Sequence, residues 1–399
     1  MANLLPSLSR FFFFFIAAAA VHHRQALSIT SPSDVAALKA FKAAVDPSSI
    51  PPWSCLASWN FSSSDPCSLP RRSYFTCGFS CSSPSSSSGG GPARITTITL
   101  DPAGYSGTLS PLVSRLSRLA VLDLTDNSFR GPIPTSLSSL SALTTLSLRA
   151  NSFSGSVPAF TGLKALQSLD LSYNSLSGPL PSSLGSLPSL TRLDISFNRL
   201  TGSIPKLPPN LLELALRGNS LSGPLSKDSF AGAAQLEVVE LAHNSLAGAL
   251  EPWLFLLPSV QQIDLANNSL TRVDVAAPPA GGGGGLVAVD LGFNRIEGSV
   301  PGNFASYPQL SSLTLRYNRL RGDIPAEFGR KATLRRLFLD GNYLKGKPPA
   351  ELFSSGAAVA FGSLGDNCLR ECPATSQLCA PSQKPDAVCK QAYGGRPTS

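Results

Sequence analysis

An asparagine returns along this chain at a nearly fixed interval. It stands at Asn127, Asn151, Asn174, Asn198, Asn219, Asn244, Asn268, Asn294, Asn318 and Asn342, in steps of 21 to 26 residues. The surroundings repeat with it: LDLTDNSFRGPIP from Leu122, LSLRANSFSGSVP from Leu146, LDLSYNSLSGPLP from Leu169, LDISFNRLTGSIP from Leu193. A degenerate copy, ITTITLDPAGYSG, puts Ala103 in the asparagine slot and brings the number of copies to eleven. Self-similarity at this period means a solenoid, in which each unit buries its apolar face only against its neighbours. Leucines two apart point to one side of a short strand and fill the space between units. The polar asparagine follows from the turn after the strand, where backbone groups are buried without sheet partners. Its amide carries two donors and two acceptor lone pairs on a short side chain. The asparagines are therefore expected to form a structural ladder, and Ser172 beside Asn174 is expected to be a neutral surface position.

Only 14% of residues are charged, against about a quarter in ordinary domains; turn-forming Ser, Gly and Pro take their place. Residues 1–28 read as a signal peptide: Arg10, then an apolar run from Phe11 to Val21, then small residues before Ile29. That run is too short to span a bilayer, and no later segment reaches the required length. A secreted, extracellular or wall-located chain is the expectation. Four cysteines (Cys55, Cys67, Cys77, Cys81) precede the array and four (Cys368, Cys372, Cys379, Cys389) follow it. An even number in a secreted chain implies disulfides, two closing each open end, with the pairing open. No histidine accompanies the close cysteine pairs, so metal is not expected, nor is any cofactor.

The strand-turn pattern L-x-x-L-x-L-x-x-N-x-L is that of the leucine-rich repeat. A glycine follows the ladder residue by four in ten copies, from Gly107 to Gly346, with Arg272 as the exception. With SDVAALKAF…SCLASWN…DPC…FTCG ahead of the array, the chain resembles plant extracellular leucine-rich repeat proteins. Receptor-like proteins and polygalacturonase-inhibiting proteins are the nearest types, here without a transmembrane or kinase segment. The resemblance implies an α/β solenoid: a right-handed horseshoe with a parallel β-sheet on the concave face and disulfide-closed caps. The cap would span 29–93, with a helix after Ser33 built on Val35, Leu38, Phe41 and Val45 and a Ser/Gly-rich linker at 82–92. Eleven repeats would span 94–350, and a second cap and tail 351–399. The function implied is recognition of a protein or peptide ligand through the concave face, in plant signalling or defence. The alternative is inhibition of microbial wall-degrading enzymes. Partners would be an extracellular ligand, a membrane receptor kinase, a wall-degrading enzyme or an acidic wall polysaccharide, and not nucleic acid. Where peptide-hormone receptors of this class show R-x-R, the strands here keep only the second arginine, at Arg149, Arg217 and Arg316.

Residues between the two core leucines of each strand face the concave side. They include Asp170, Asp194, Glu240, Asp264 and Asp290. Adjacent parallel strands lie about 4.8 Å apart, so these carboxylates fall near the spacing of a retaining glycosidase. Glycoside hydrolysis is a further alternative, but an acid-lined binding face is the expectation and the chain is read as no enzyme. The position before the ladder residue holds Tyr173, Phe197, His243, Phe293 and Tyr317, and exposed aromatics there are candidate anchors. Between Arg316 and Lys347 nine basic residues face three acids; Arg316 and Arg336 are the candidates to meet an acidic partner on the concave side. Asn60 and Asn267 begin N-x-S glycosylation sequons. KLPPN at 206–210 shortens one repeat, and the Pro/Gly insert at 278–285 lengthens another as a flexible bulge.

Overall fold

The computed structural model describes residues 30–61, 65–67, 77–82, 91–279, 284–354 and 356–394. The leader, most of the Ser/Gly linker and the centre of the glycine insert lie outside these residues. Among the described residues, thirteen strands form one sheet in sequence order, beginning with Phe79–Cys81 and Ile95–Thr99 and ending with Phe361–Ser363. The first pair is antiparallel; the next, Ile95–Thr99 with Val121–Asp123, and all that follow are parallel. Most strands are three residues long, because the chain must turn inward at the asparagine after each. Register is strict: Leu146 pairs with Leu169, Leu169 with Leu193, Leu193 with Leu214. All four are fully buried. A one-residue slip would turn every leucine to solvent, so burial fixes the register.

After each asparagine the chain runs back as a second short strand. Eight of these pair from Ser106–Thr108 to Ser269–Val273; Glu297–Gly298, Arg319–Gly322 and Tyr343–Leu344 form a separate sheet. The ten glycines after the ladder residue all have positive φ, between 75° and 133°. Arg272, where the glycine is missing, is not among the left-handed residues. The pairing of its strand shifts register, between Gly248 and Ala249, and the second sheet breaks after it. On the outer side, single 3-10 turns such as Thr135–Ser139 and Ser182–Ser186 return to the next strand. Their serines donate to backbone carbonyls, as Ser138 Oγ does to Thr135 O at 2.8 Å.

The N-terminal cap plugs the open end. Its helix is Pro32–Ala43, starting before Ser33, because Pro32 supplies the first-turn φ and needs no donor. Ala37, Leu38 and Phe41 are its buried face; Val35, expected in the core, is half-exposed, and Asp34 takes the inward position instead. Phe41 reaches the second repeat, its ring 6.1 Å from that of Phe129. The helix end lies so close to Gly107 that a Cβ there would run into Ala44 O. Disulfides join Cys55 to Cys77 and Cys67 to Cys81. At the other end Cys368 bonds Cys389 and Cys372 bonds Cys379. The helix Asp386–Ala392 leads to Tyr393, whose hydroxyl donates to Tyr343 O at 2.5 Å.

The ladder extends beyond the ten asparagines expected. Asn367 Nδ2 donates to Leu339 O, Leu364 O and Gly365 O, and its Oδ1 accepts from Leu344 N. It is a further rung inside the segment assigned to the second cap. The spacing of 25 residues from Asn342 and the leucine at Leu364 carry the signal for it.

Candidate functional site

Each rung works alike. Asn174 Nδ2 donates to Leu148 O of the preceding repeat and to Leu171 O and Ser172 O of its own. Its Oδ1 accepts from Phe153 N. With both ends of the amide committed to backbone, the ladder residues offer nothing to a ligand. Ser172 is fully buried rather than a surface residue. Its hydroxyl donates to Asp170 Oδ1 at 2.6 Å and accepts from Arg149 Nη1 at 2.9 Å.

The strand register sets the concave row. Asp170 pairs with Asp194, and Glu240, Asp264 and Asp290 stand on three successive strands. The four aspartates also serve the fold: one carboxylate oxygen accepts the backbone N–H two residues on, Ser172, Ser196, Ala266 or Gly292, at 2.8–3.0 Å. That bond starts the turn and leaves the second oxygen of Asp170, Asp194 and Asp290 for solvent or a ligand, while that of Asp264 faces Arg217. Glu240 is one methylene longer and makes no such bond. Burial holds its carboxyl above the ordinary range, and Asp264, Glu213 and Asp194 push the same way. Burial also raises Asp290, against the Gly292 N–H and with help from Asp264.

These shifts carry a sign. A carboxyl whose folded pKa exceeds its unfolded value costs stability when ionised. The cost grows as pH rises from the unfolded to the folded pKa and is complete above the latter. Glu240→Gln is expected to raise the thermal midpoint at pH 7 and to have no such effect below about pH 4. Thermal melts of both proteins at the two pH values test this; an equal gain at both would place its origin in packing.

The residues before the ladder asparagines form an exposed column. Tyr173, Phe197, His243, Asn267, Phe293 and Tyr317 all have φ between 51° and 57°, a left-handed conformation that side chains other than Asn, Asp or Gly adopt at a cost. Tyr173 stacks on Phe197 at 4.4 Å and Phe293 on Tyr317 at 4.7 Å between centroids. Each stack ends on a glycine: a Cβ at Gly218 would meet the Phe197 ring at 2.8 Å, and one at Gly341 the Tyr317 ring at 2.5 Å. Phe197 and Tyr317 are thus covered on both faces, while Phe293 keeps a large exposed surface toward the groove.

A groove of about 530 Å³ lies between this column and the acid row. Its origin is in the positions after the second core leucine, which run Arg217, Ala242, Ala266, Gly292, Arg316. Three small residues separate two arginines over four strand spacings, roughly 19 Å. Arg217 Nη1 lies 3.6 Å from Asp264 Oδ2, and its Nε is buried with no partner. Arg316 is fixed from both sides: its guanidinium lies 4.9 Å from the Phe338 ring and 5.6 Å from the Tyr317 ring. Two of its nitrogens donate to Asp340 Oδ2 at 2.8 and 3.2 Å. His243, Asn267 and Phe293 make the rim; Asp264, Asp290 and Thr314 make the floor. Small residues after a leucine are an available sequence signal for this basin, missed because the strand pattern drew attention to the acids.

The structure brings together Glu240, Asp264, Asp290, Phe293, Tyr317 and Arg316. It leaves Asp170, Asp194, Tyr173 and Phe197 on the repeats to the N-terminal side. The basic segment is not one cationic face. Arg316 pairs with Asp340, Arg319 with Glu297, Arg330 with Glu351 and Lys347 with Glu371. Lys331 is buried and donates to Tyr307 O, and burial lowers its pKa. Arg336 is exposed, without an ion-pair partner among the described residues. Three of the nine basic residues thus meet acids that lie outside the window 316–347. Asn60 and Asn267, the two sequon asparagines, are both exposed.

Among the described residues no helix is long and apolar enough to cross a membrane. Leucine rich repeat models match residues 118–140, 156–200 and 285–344, and the leucine rich repeat N-terminal domain matches 31–70. Receptor-like protein 7 of Arabidopsis thaliana is 31% identical over 93 residues, covering 23% of this chain and 9% of its own. The solved structure of PEPR1-AtPEP1 superposes with a TM-score of 0.74 and 31% identity, over 84% of this chain and 45% of that one. The plant peptide hormone receptor RGFR1 in complex with RGF2 gives 0.60 and 34%, over 66% and 42%. The chain spans less than half the length of each of these proteins. The chain carries leucine rich repeats and a leucine rich repeat N-terminal domain, and is similar to plant receptor-like proteins.

Proposed function

We propose that the chain is an extracellular recognition module that binds a peptide or a protein segment in the groove between Arg217 and Arg316. The groove itself carries this reading: three small residues open a basin bounded by an arginine at each end. Its floor offers free carboxylate oxygens, and its rim and far wall offer aromatic rings. An extended segment lying across the strands meets polar and apolar contacts in alternation, which suits peptide recognition more than a single small molecule. The floor favours a basic side chain or a terminal amine, because three carboxylates, Glu240, Asp264 and Asp290, face two counter-charges, Arg217 and Arg316, and Arg316 is already paired with Asp340. The similarity to a peptide hormone receptor supports the class of ligand and not its identity. Secretion and a role in plant signalling or defence belong to the same reading.

The test is comparative capture. Wild-type protein and Asp264→Asn/Arg316→Ala are immobilised and exposed to solubilised plant membranes, plant apoplastic fluid and culture filtrate of a wall-degrading microbe. A species retained by the wild type and lost by the double variant is the expected result. Retention of a pectin-degrading enzyme would select the inhibitor reading. Equal retention of every species by both proteins would remove the groove from the function.

A further inference from the structure

We propose that Asn267 carries an N-linked glycan whose core covers the His243 rim and narrows the groove from that side. Asn267-Asn268-Ser269 is a sequon, and its asparagine lines the groove. The neighbouring asparagine, Asn268, is a buried rung with its amide committed to Leu241 O, Leu265 O and Ala266 O. Asn267 is the opposite: exposed, left-handed, and pointing away from the core. Its Nδ2 has one contact, 2.6 Å from His243 Nδ1. The exposed column places it beside His243, between the two aromatic stacks.

The modification fits this geometry. Nδ2 attacks C1 of a lipid-diphosphate-linked oligosaccharide, the C1–O bond to the diphosphate breaks, and the lipid diphosphate leaves. Nδ2 gives up one proton and keeps one N–H. With the imidazole protonated at Nε2, that remaining N–H can still donate to His243 Nδ1, so glycosylation is compatible with the contact. The first sugars then stand over the imidazole. Ligands are left with the route over the strand face, past Glu240 and Asp290, rather than across the rim. The narrowing matters to function only through the groove reading given above; the occupancy of Asn267 does not depend on it.

The full chain is secreted from a eukaryotic host and its peptides are mapped before and after enzymatic glycan release. Asn267 is expected to be occupied. The rate of His243 carbethoxylation by diethylpyrocarbonate is then measured by the same mapping. It is expected to be several-fold slower in the glycosylated protein than in Ser269→Ala. That variant keeps the Asn267–His243 contact while destroying the sequon. Ser269→Thr, which restores the sequon, is expected to restore protection. An Asn267 peptide recovered only unmodified overturns the site. An occupied Asn267 with His243 reacting at the Ser269→Ala rate overturns the covering role. Neither readout needs the ligand, so failure of the capture experiment leaves both intact.

Discussion

Asn342→Ala is expected to lower unfolding stability by about 3 kcal/mol, the upper part of the range for leaving buried polar groups unpaired. The side chain is fully buried. It serves Leu315 O, Leu339 O and Asp340 O through Nδ2 and Leu320 N through Oδ1. Alanine leaves one donor and up to three carbonyls in a space that the next rung, Asn367, keeps closed. The effect should shrink where water reaches the rung: Asn127 is half-exposed, and Asn127→Ala is expected to cost less. Ser177→Ala, on an exposed strand with no hydrogen bond to lose, should stay within about 0.5 kcal/mol. Urea midpoints of the three variants decide the matter. Similar shifts for Asn342→Ala and Ser177→Ala would show that the ladder is not what holds the turns.

Period made most of the fold legible. A 24-residue repeat with leucines two apart admits one arrangement of strand, turn and return, and the cysteine-free array between two four-cysteine groups marks its ends. What was not legible depends on contacts between units, which no single repeat encodes. Ser172 has the same local pattern as an exposed strand residue, yet Arg149 of one neighbour closes over it. Asn367 escaped notice because its repeat ends in the cap, where cysteines replace the usual turn residues. The cysteine pairing is set by how the caps fold back, not by spacing. In the site, the acid row could be read from alternation alone. The basin could not, since it is the sum of Ala242, Ala266 and Gly292 on three separate strands. The basic run from Arg316 to Lys347 looked like a patch because charge was counted along the chain. Its neutralising partners Glu297, Glu351 and Glu371 sit one repeat away in sequence and alongside in space.

That lateral coupling also decides how a cap failure spreads. Asp34 is fully buried. It accepts from Arg94 Nε and Nη2 at 3.0 and 2.9 Å and from Ile95 N at 2.8 Å. One carboxylate thereby ties the cap helix to the strand Ile95–Thr99, through its backbone as well as through Arg94. Removing one member of a buried pair costs about 3–5 kcal/mol. Arg94 keeps some exposure and a bond to Ser117 Oγ, so Asp34→Ala should fall near the lower end, about 3 kcal/mol. The loss should not be shared evenly. A solenoid's stability is close to a sum of unit and nearest-neighbour terms, so a detached cap exposes the first repeats and leaves the last ones packed. Hydrogen exchange is therefore expected to show early loss of protection at Ile95–Thr99 and Val121–Asp123 in Asp34→Ala. Protection at Ser312–Thr314 and Arg336–Phe338 should match the wild type. Asp34→Asn, which retains an acceptor for Ile95 N but not the charge for Arg94, should lie between. Uniform loss along the whole sheet would mean that the array unfolds as one cooperative block. Unchanged protection at Ile95–Thr99 would mean that the cap helix is held by Leu38 and Phe41 alone.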